Sequence, residues 1–250
     1  MEPITEHIRT YIRDTFPSPM LKMEWLVATL QEIKSSLEYL IQDDELSEDH
    51  ITLTELRSRI LNSPFADTMV PGTGLPRRIT HPMTHTKLEG PIVLDLLHMD
   101  EIGVSAFRLE RVRMDRDEAC FLNMLRLASF CPGITEEMIL RASTQLPEYP
   151  RKRLKIYLSD GTIELIAMEY MPLPLKLGIT PMGTKLVLEK VPIIGGVAFL
   201  DSDNTKVMGG CTPELEDEHL KRLRKDWHLR MKEELQALTE AENNPQNLLS

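Results

Sequence analysis

Residues 154–168 read LKIYLSDGTIELIAM, and this stretch decides the architecture. Leu154, Ile156 and Leu158 alternate with Lys155 and Tyr157, the period of a strand with one buried face. Ser159-Asp160-Gly161 supplies the reversal, since Asp and Gly accept the backbone angles of a tight turn, and Ile163 to Met168 forms the return strand. Similar short runs stand on either side: IVLDLL at 92–97, TKLVLEKV at 184–191 and VAFL at 197–200, with Gly195-Gly196 turning between the last two. Five such strands within 91–212 predict a small barrel of the OB type. Leu165 and Val187 are expected inside it.

The interval 108–150 between the first and second strands is far too long for a hairpin loop and reads as an insertion. It is also unusually apolar. FLNMLRLASF at 121–130 carries Phe121, Leu122, Met124, Leu125, Leu127 and Phe130, and Ile134 follows just before a short helix opened by Thr135. A segment leaving a barrel rim has little local core to enter, so these seven side chains are expected to face a partner. The competing expectation is that they fold back onto the barrel or the helices, as most apolar stripes do.

On the other side of the barrel the pattern is helical. Ile4, Ile8, Tyr11 and Ile12 make one stripe, and Leu21, Trp25, Leu26, Ile33, Leu37, Leu40 and Ile41 a longer one; Pro17 and Pro19 part them. After the acidic 43–45 turn, Leu53, Leu56 and Ile60 mark a third helix with Thr52 or Thr54 as its N-cap. Residues 1–62 are thus a three-helix bundle. Residues 63–90, broken by Pro64, Pro71, Pro76 and Pro82, are a packed connector, and 91–212 are the barrel. Residues 213–250 are a final helix and tail, the helix opening at Pro213 with Leu220, Leu223, Trp227, Met231, Leu235 and Leu238 as its stripe. The class is α+β: a helical bundle packed on an OB-type barrel with a long insertion, then a C-terminal helix.

Charge and composition narrow the function. The net charge of −10 excludes a surface that tracks phosphate everywhere. The one basic cluster is Arg151, Lys152, Arg153 and Lys155, which reads either as a charged, protected strand edge or as a weak nucleic-acid contact. Only Tyr157, Tyr170 and Phe199 are offered as stacking rings, few for a tight single-strand binder. No run reaches the ~18–20 apolar residues of a membrane span, and the start has no signal-peptide pattern, so the chain is expected to be soluble and intracellular. Cys120, Cys131 and Cys211 are scattered and suggest neither disulfides nor zinc. His81 and His85 have metal-pair spacing but sit in a proline-broken connector. Phosphate-loop, nucleophile-elbow and paired-carboxylate patterns are absent. The expectation is a protein that is not an enzyme, with no metal and no cofactor.

Four ordered blocks carry a resemblance: PSPMLKMEWL at 17–26, TELRSRILNSPF at 54–65, LSDGTIELIAMEYMPLPL at 158–175 and GTKLVLEKVPIIGGVAFLDSDNTKVMGG at 183–210. Through them most of residues 3–212 resembles the RecQ-mediated genome instability protein 1 family, the accessory subunit of topoisomerase III. The resemblance implies a bundle on an OB barrel whose long loop enters the topoisomerase gate, which is the interval 108–150 marked above. It also implies a RecQ-type helicase as a further partner, a role in dissolving double Holliday junctions, and a nuclear location. A related Tudor-containing family shares bundle and barrel but has a short loop, so the long insertion favours the first family. The chain is expected to be a short, single-barrel form. The alternative is a free-standing single-stranded DNA-binding OB protein.

Overall fold

The computed structural model describes residues 4–40, 48–130 and 146–243. The chain divides into two compact units: one comprises Met1–Asp100, Arg153–Leu175 and Ile179–His219, the other Glu101–Lys152, Lys176–Gly178 and Leu220–Ser250.

The first unit opens with α1 (Glu6–Thr15), α2 (Met23–Leu40), α3 (Glu48–Leu61) and the one-turn α4 (Phe65–Thr68). Eight strands follow: β1 (His85–Leu88), β2 (Ile92–Glu101), β3 (Leu154–Ser159), β4 (Glu164–Glu169), β5 (Lys185–Leu188), β6 (Val191–Ile194), β7 (Val197–Leu200) and β8 (Thr205–Gly209). Neighbours in the sheet run β1-β6-β7-β4-β3-β2-β5-β8. β5 pairs antiparallel with β2 and β6 antiparallel with β7, while only Glu189 and Lys190 separate β5 from β6. One bent path, 185–194, therefore joins the two ends of the order β7-β4-β3-β2. That closes the circuit of an OB barrel, and the parallel pairing of β4 with β7 belongs to the same topology.

The bend has identifiable causes. Lys190 takes a φ of 56°, and its amide donates to the Glu89 carbonyl at 2.9 Å, while the Glu189 amide donates to Asn204 O at 3.0 Å. Gly90 packs against the same corner, where a Cβ would stand 2.3 Å from the Leu188 carbonyl oxygen, so only glycine fits. The interior is filled by alternate residues such as Leu94, Leu96, Ile156, Leu158, Leu165, Leu186 and Leu200, all buried. Each contributes roughly 1.5–3 kcal/mol by leaving water.

The bundle packs on the outside of this barrel. Its cluster of Phe16, Leu26, Leu30, Ile33, Leu56, Ile60, Phe65 and Met69 includes Val93 of β2, and Val187 and Met208 lie against it. Val187 is thus not inside the barrel as the alternation suggests; it points the other way, onto the helices. The connector 63–90 holds more structure than its prolines suggest, namely α4 and β1. The run 184–191 is split at the Lys190 bend, and β8 has no counterpart among the five expected strands. The third helix begins before Thr52, so Thr54 sits within it and donates its Oγ1 to the His50 carbonyl instead of capping.

The second unit is built on α5 (Ala106–Phe130) and α6 (Pro213–Asn243), the first turns of α6 belonging to the barrel unit. The early insertion is a continuous helix and not an open loop. Its base meets α6 in antiparallel sense: the Ala106 amide donates to Glu234 Oε1 at 2.8 Å, and Glu110 feels the charges of Arg224 and His228.

Candidate functional site

The insertion begins where Ser105 offers its backbone carbonyl and hydroxyl to the first amides of α5. Val104, Ala106 and Leu109 are buried, and Arg230 from α6 donates to the carbonyls of Glu101 and Val104. One turn on, the Arg113 guanidinium forks onto both Glu110 oxygens at 2.6 and 2.8 Å and reaches Asp117 at 2.5 Å. That bidentate contact holds the Glu110 carboxyl below its usual range. Arg116 donates to Pro147 O and Gly178 O and lies over the Tyr149 ring, which meets the buried Trp227 edge-on. Burial pushes the Tyr149 phenol up. Cation, ring and Trp thus clamp the near end of the helix and the returning chain together.

Beyond that clamp three apolar residues face outward. Phe121 is 61% exposed, Leu122 45% and Met124 63%, and Phe107 and Met114 are exposed at the preceding heptad positions, so Phe107, Met114 and Phe121 recur at seven-residue spacing. Leu125, Leu127 and Phe130 lie on the same helix, their side chains outside the described residues, and Ile134 falls outside them altogether. Of the seven residues expected to face a partner, Phe121, Leu122 and Met124 are the ones whose side chains are described, and all three are exposed. None of these three packs back on a core.

The basic cluster is split in character. Arg151, Lys152 and Arg153 are exposed ahead of β3, and the Lys152 amide donates to Glu101 Oε2 at 2.7 Å. Lys155 is half-buried, with its Nζ 5.1 Å from the Tyr157 ring centre. The registers of successive strands show what Lys155 belongs to. Tyr157 stands opposite Ile166, Ile166 opposite Val197, Val197 opposite Ile194, and Ile194 opposite His85. The row beside it runs Lys155, Met168, Phe199, Pro192 and Lys87, the Phe199–Pro192 step following from the β6–β7 register. These residues all point away from the barrel interior, and all are half-buried or exposed. The same alternation carries Tyr170, 66% exposed, to this face beyond Met168. All three rings noted in the sequence therefore share one surface.

Two buried polar pairs stand outside the sequence expectations. Lys185 Nζ meets Asp95 Oδ1 at 2.5 Å and donates to Ser63 O and Gly183 O, and Asp95 Oδ2 accepts from the Phe65 amide at 2.7 Å. Burial drives Asp95 up and Lys185 down, with each partner opposing the other's shift. The pair ties the connector to β2 and β5. His98 and His219 approach Nδ1 to Nδ1 at 2.7 Å, one ring donating to the other, with Tyr157 edge-on to His98. The signal for the first pair is visible in the residues, a charge inside the apolar run IVLDLL and another at the head of the run TKLVLEK. Nothing in the sequence pairs the histidines, which lie 121 positions apart. His81, by contrast, caps its own turn, its Nδ1 accepting from the Met83 amide. Among the described residues no cluster of three or more His, Cys, Asp or Glu side chains could hold a metal ion, and no helix is long and apolar enough to cross a membrane.

Residues 75–223, from the middle of the connector through the barrel and insertion to the first turns of α6, match the protein family described as "RMI1, N-terminal OB-fold domain". A curated relative, RecQ-mediated genome instability protein 1 of Danio rerio, is 38% identical over 71 residues. That alignment covers 28% of this chain and 14% of the relative's length, so the chain spans a small part of it.

Proposed function

The chain belongs to the RMI1 N-terminal OB-fold family, a noncatalytic accessory family of genome stability, and on that premise we propose that it is the subunit of a RecQ helicase–topoisomerase III complex that binds the topoisomerase. The barrel and bundle are the scaffold, and α5 is the probe that reaches the gate. The observation that carries this reading is the exposure of Phe121, Leu122 and Met124 on a helix whose base is clamped. Such a helix can present apolar surface to a partner without first being ordered, which lowers the cost of association. The topoisomerase supplies the strand chemistry, and the insertion biases how its gate opens during decatenation and double Holliday junction dissolution in the nucleus.

The test is co-purification with topoisomerase III and decatenation in its presence. Replacing Phe121, Leu122 and Met124 by Ser should abolish stimulation of decatenation while the free chain melts as before. Unchanged stimulation by the triple variant would overturn the role of α5.

A further inference from the structure

We propose that the open side of β1 takes an extended, acidic segment of a partner protein as a further strand. The strand order has two ends, β1 and β8, and the molecule treats them differently. Beside β8 stands α3: Met208 packs on the helical cluster, a Cβ on Gly210 would run into the Leu61 carbonyl, and the Cys211 amide donates to Asn62 Oδ1 at 3.0 Å. β1 has no such cover. His85, Thr86 and Lys87 are exposed, and among the described residues the backbone of 85–88 bonds only along its ladder with β6. The far side of that strand is a row of amides and carbonyls spaced for one more chain.

Charge decides which chain. Residues 68–88 hold Arg77, Arg78 and Lys87 and no Asp or Glu, in a protein of net charge −10. The connector brings this charge to the edge: the hydroxyl of Thr84, one residue ahead of β1, donates to the Arg78 carbonyl at 2.7 Å. A lysine on an open edge guards it against strand addition. Here the guard is selective. A second copy joined edge to edge would bring the same positive stretch against itself, whereas an acidic strand gains a cross-strand pair with Lys87. The sheet behind the edge sets the pattern. Two outward rows end on β1: Ile166, Val197 and Ile194 run to His85, and Met168, Phe199 and Pro192 run to Lys87. Thr86 and the buried Leu88 alternate with them on the other face. The segment that fits is therefore acidic at the residues sharing a face with His85 and Lys87 and apolar at the alternate ones beside Thr86 and Leu88. Met83, 79% exposed just ahead of β1, and Ile194, 53% exposed, add apolar surface at the same edge. The inference is independent of the topoisomerase reading, and so is its test.

The experiment is fluorescence anisotropy of a labelled peptide of about six residues, glutamate alternating with valine, titrated with the whole chain and no topoisomerase present. Binding should weaken as salt rises. Lys87→Glu should weaken it about tenfold, and the same variant should bind the lysine–valine counterpart more tightly than the parent does. Methylation of alternate amide nitrogens in the peptide separates strand addition from attraction of charge alone. On the set that faces β1 it should cost at least about tenfold, and on the other set less than about twofold. Circular dichroism melting confirms that Lys87→Glu folds. The proposal is overturned if the glutamate–valine peptide does not bind, if both methylated sets bind alike, or if Lys87→Glu behaves as the parent with both peptides. A dimer of the free chain in sedimentation that the peptide dissolves would assign the edge to a second copy and overturn it as well.

Discussion

Leu165 in β4 and Phe121 in α5 are both large apolar side chains in apolar-rich stretches, yet the first is wholly buried and the second 61% exposed. The difference lies in what each stretch is built to face. β4 alternates, so every second residue is delivered to the barrel interior, and its partners on β3 and β7 do the same. α5 exposes Phe121, Leu122 and Met124, and Arg113 and Arg116 anchor its earlier turns. Apolar content alone therefore says little about a core. Whether neighbouring elements share the same period decides it.

The sharpest way to break the contrast is to remove one half of the buried pair beneath the connector. Lys185→Ala leaves Asp95 charged and enclosed and should cost about 3–5 kcal/mol, read by urea unfolding. A loss under about 1 kcal/mol would mean that water reaches the site. Leu165→Ala opens a cavity and should cost about 2–5 kcal/mol in the same assay. Val187→Ala removes two methyl groups from the bundle side and should cost about 1.5 kcal/mol; a loss equal to that of Leu165→Ala would place Val187 back inside the barrel. The triple Ser variant of Phe121, Leu122 and Met124 should shift stability by no more than about 0.5 kcal/mol per site. A cooperative collapse on melting would show that these residues serve a core after all.

The smallest effect concerns pH. Glu110 titrates lower folded than its ordinary 4.5, because Arg113 stabilises its charged form. Between the two values the unfolded chain binds the extra proton, so this contribution is present above pH 4.5 and is lost as pH falls through the folded value. The pair is partly exposed, so solvent screens it, and Glu110→Gln should flatten the acid limb of stability only slightly. An acid limb identical to the parent's would remove Glu110 from the clamp.

Elements that advertise their period are legible in the sequence. The 154–168 hairpin sits where its residues put it, as do buried Leu26 and Ile33 of α2 and Leu223 and Trp227 of α6, whereas Leu220, Leu235 and Leu238 of the α6 stripe are exposed; Asp160 secures the hairpin turn by accepting from Thr162, Ile163 and, across the connector, Leu75. What escapes a linear reading is set by tertiary contacts. β1 exists because Pro192 and its neighbours offer a partner edge, and the break in 184–191 exists because Glu89 and Asn204 grip the corner. The candidate site is legible by residue type but not by arrangement. Lys155 and the three rings all stand out along the chain, yet only the register of five strands puts them on one surface.

Asp95 and Lys185 are direct cross-strand partners. Were β2 to slide by one residue along β5, Leu94 or Leu96 would face Lys185 and the aspartate would turn toward the apolar lumen. Such a slip also turns Leu94 and Leu96 off the lumen, where Val93 and Leu97 would replace them with other apolar side chains; two separated, enclosed charges find no such substitute. The ion pair is then a proof-reading mark in the barrel's assembly: it makes the correct alignment of the first and fourth barrel strands the only one in which neither charge is stranded.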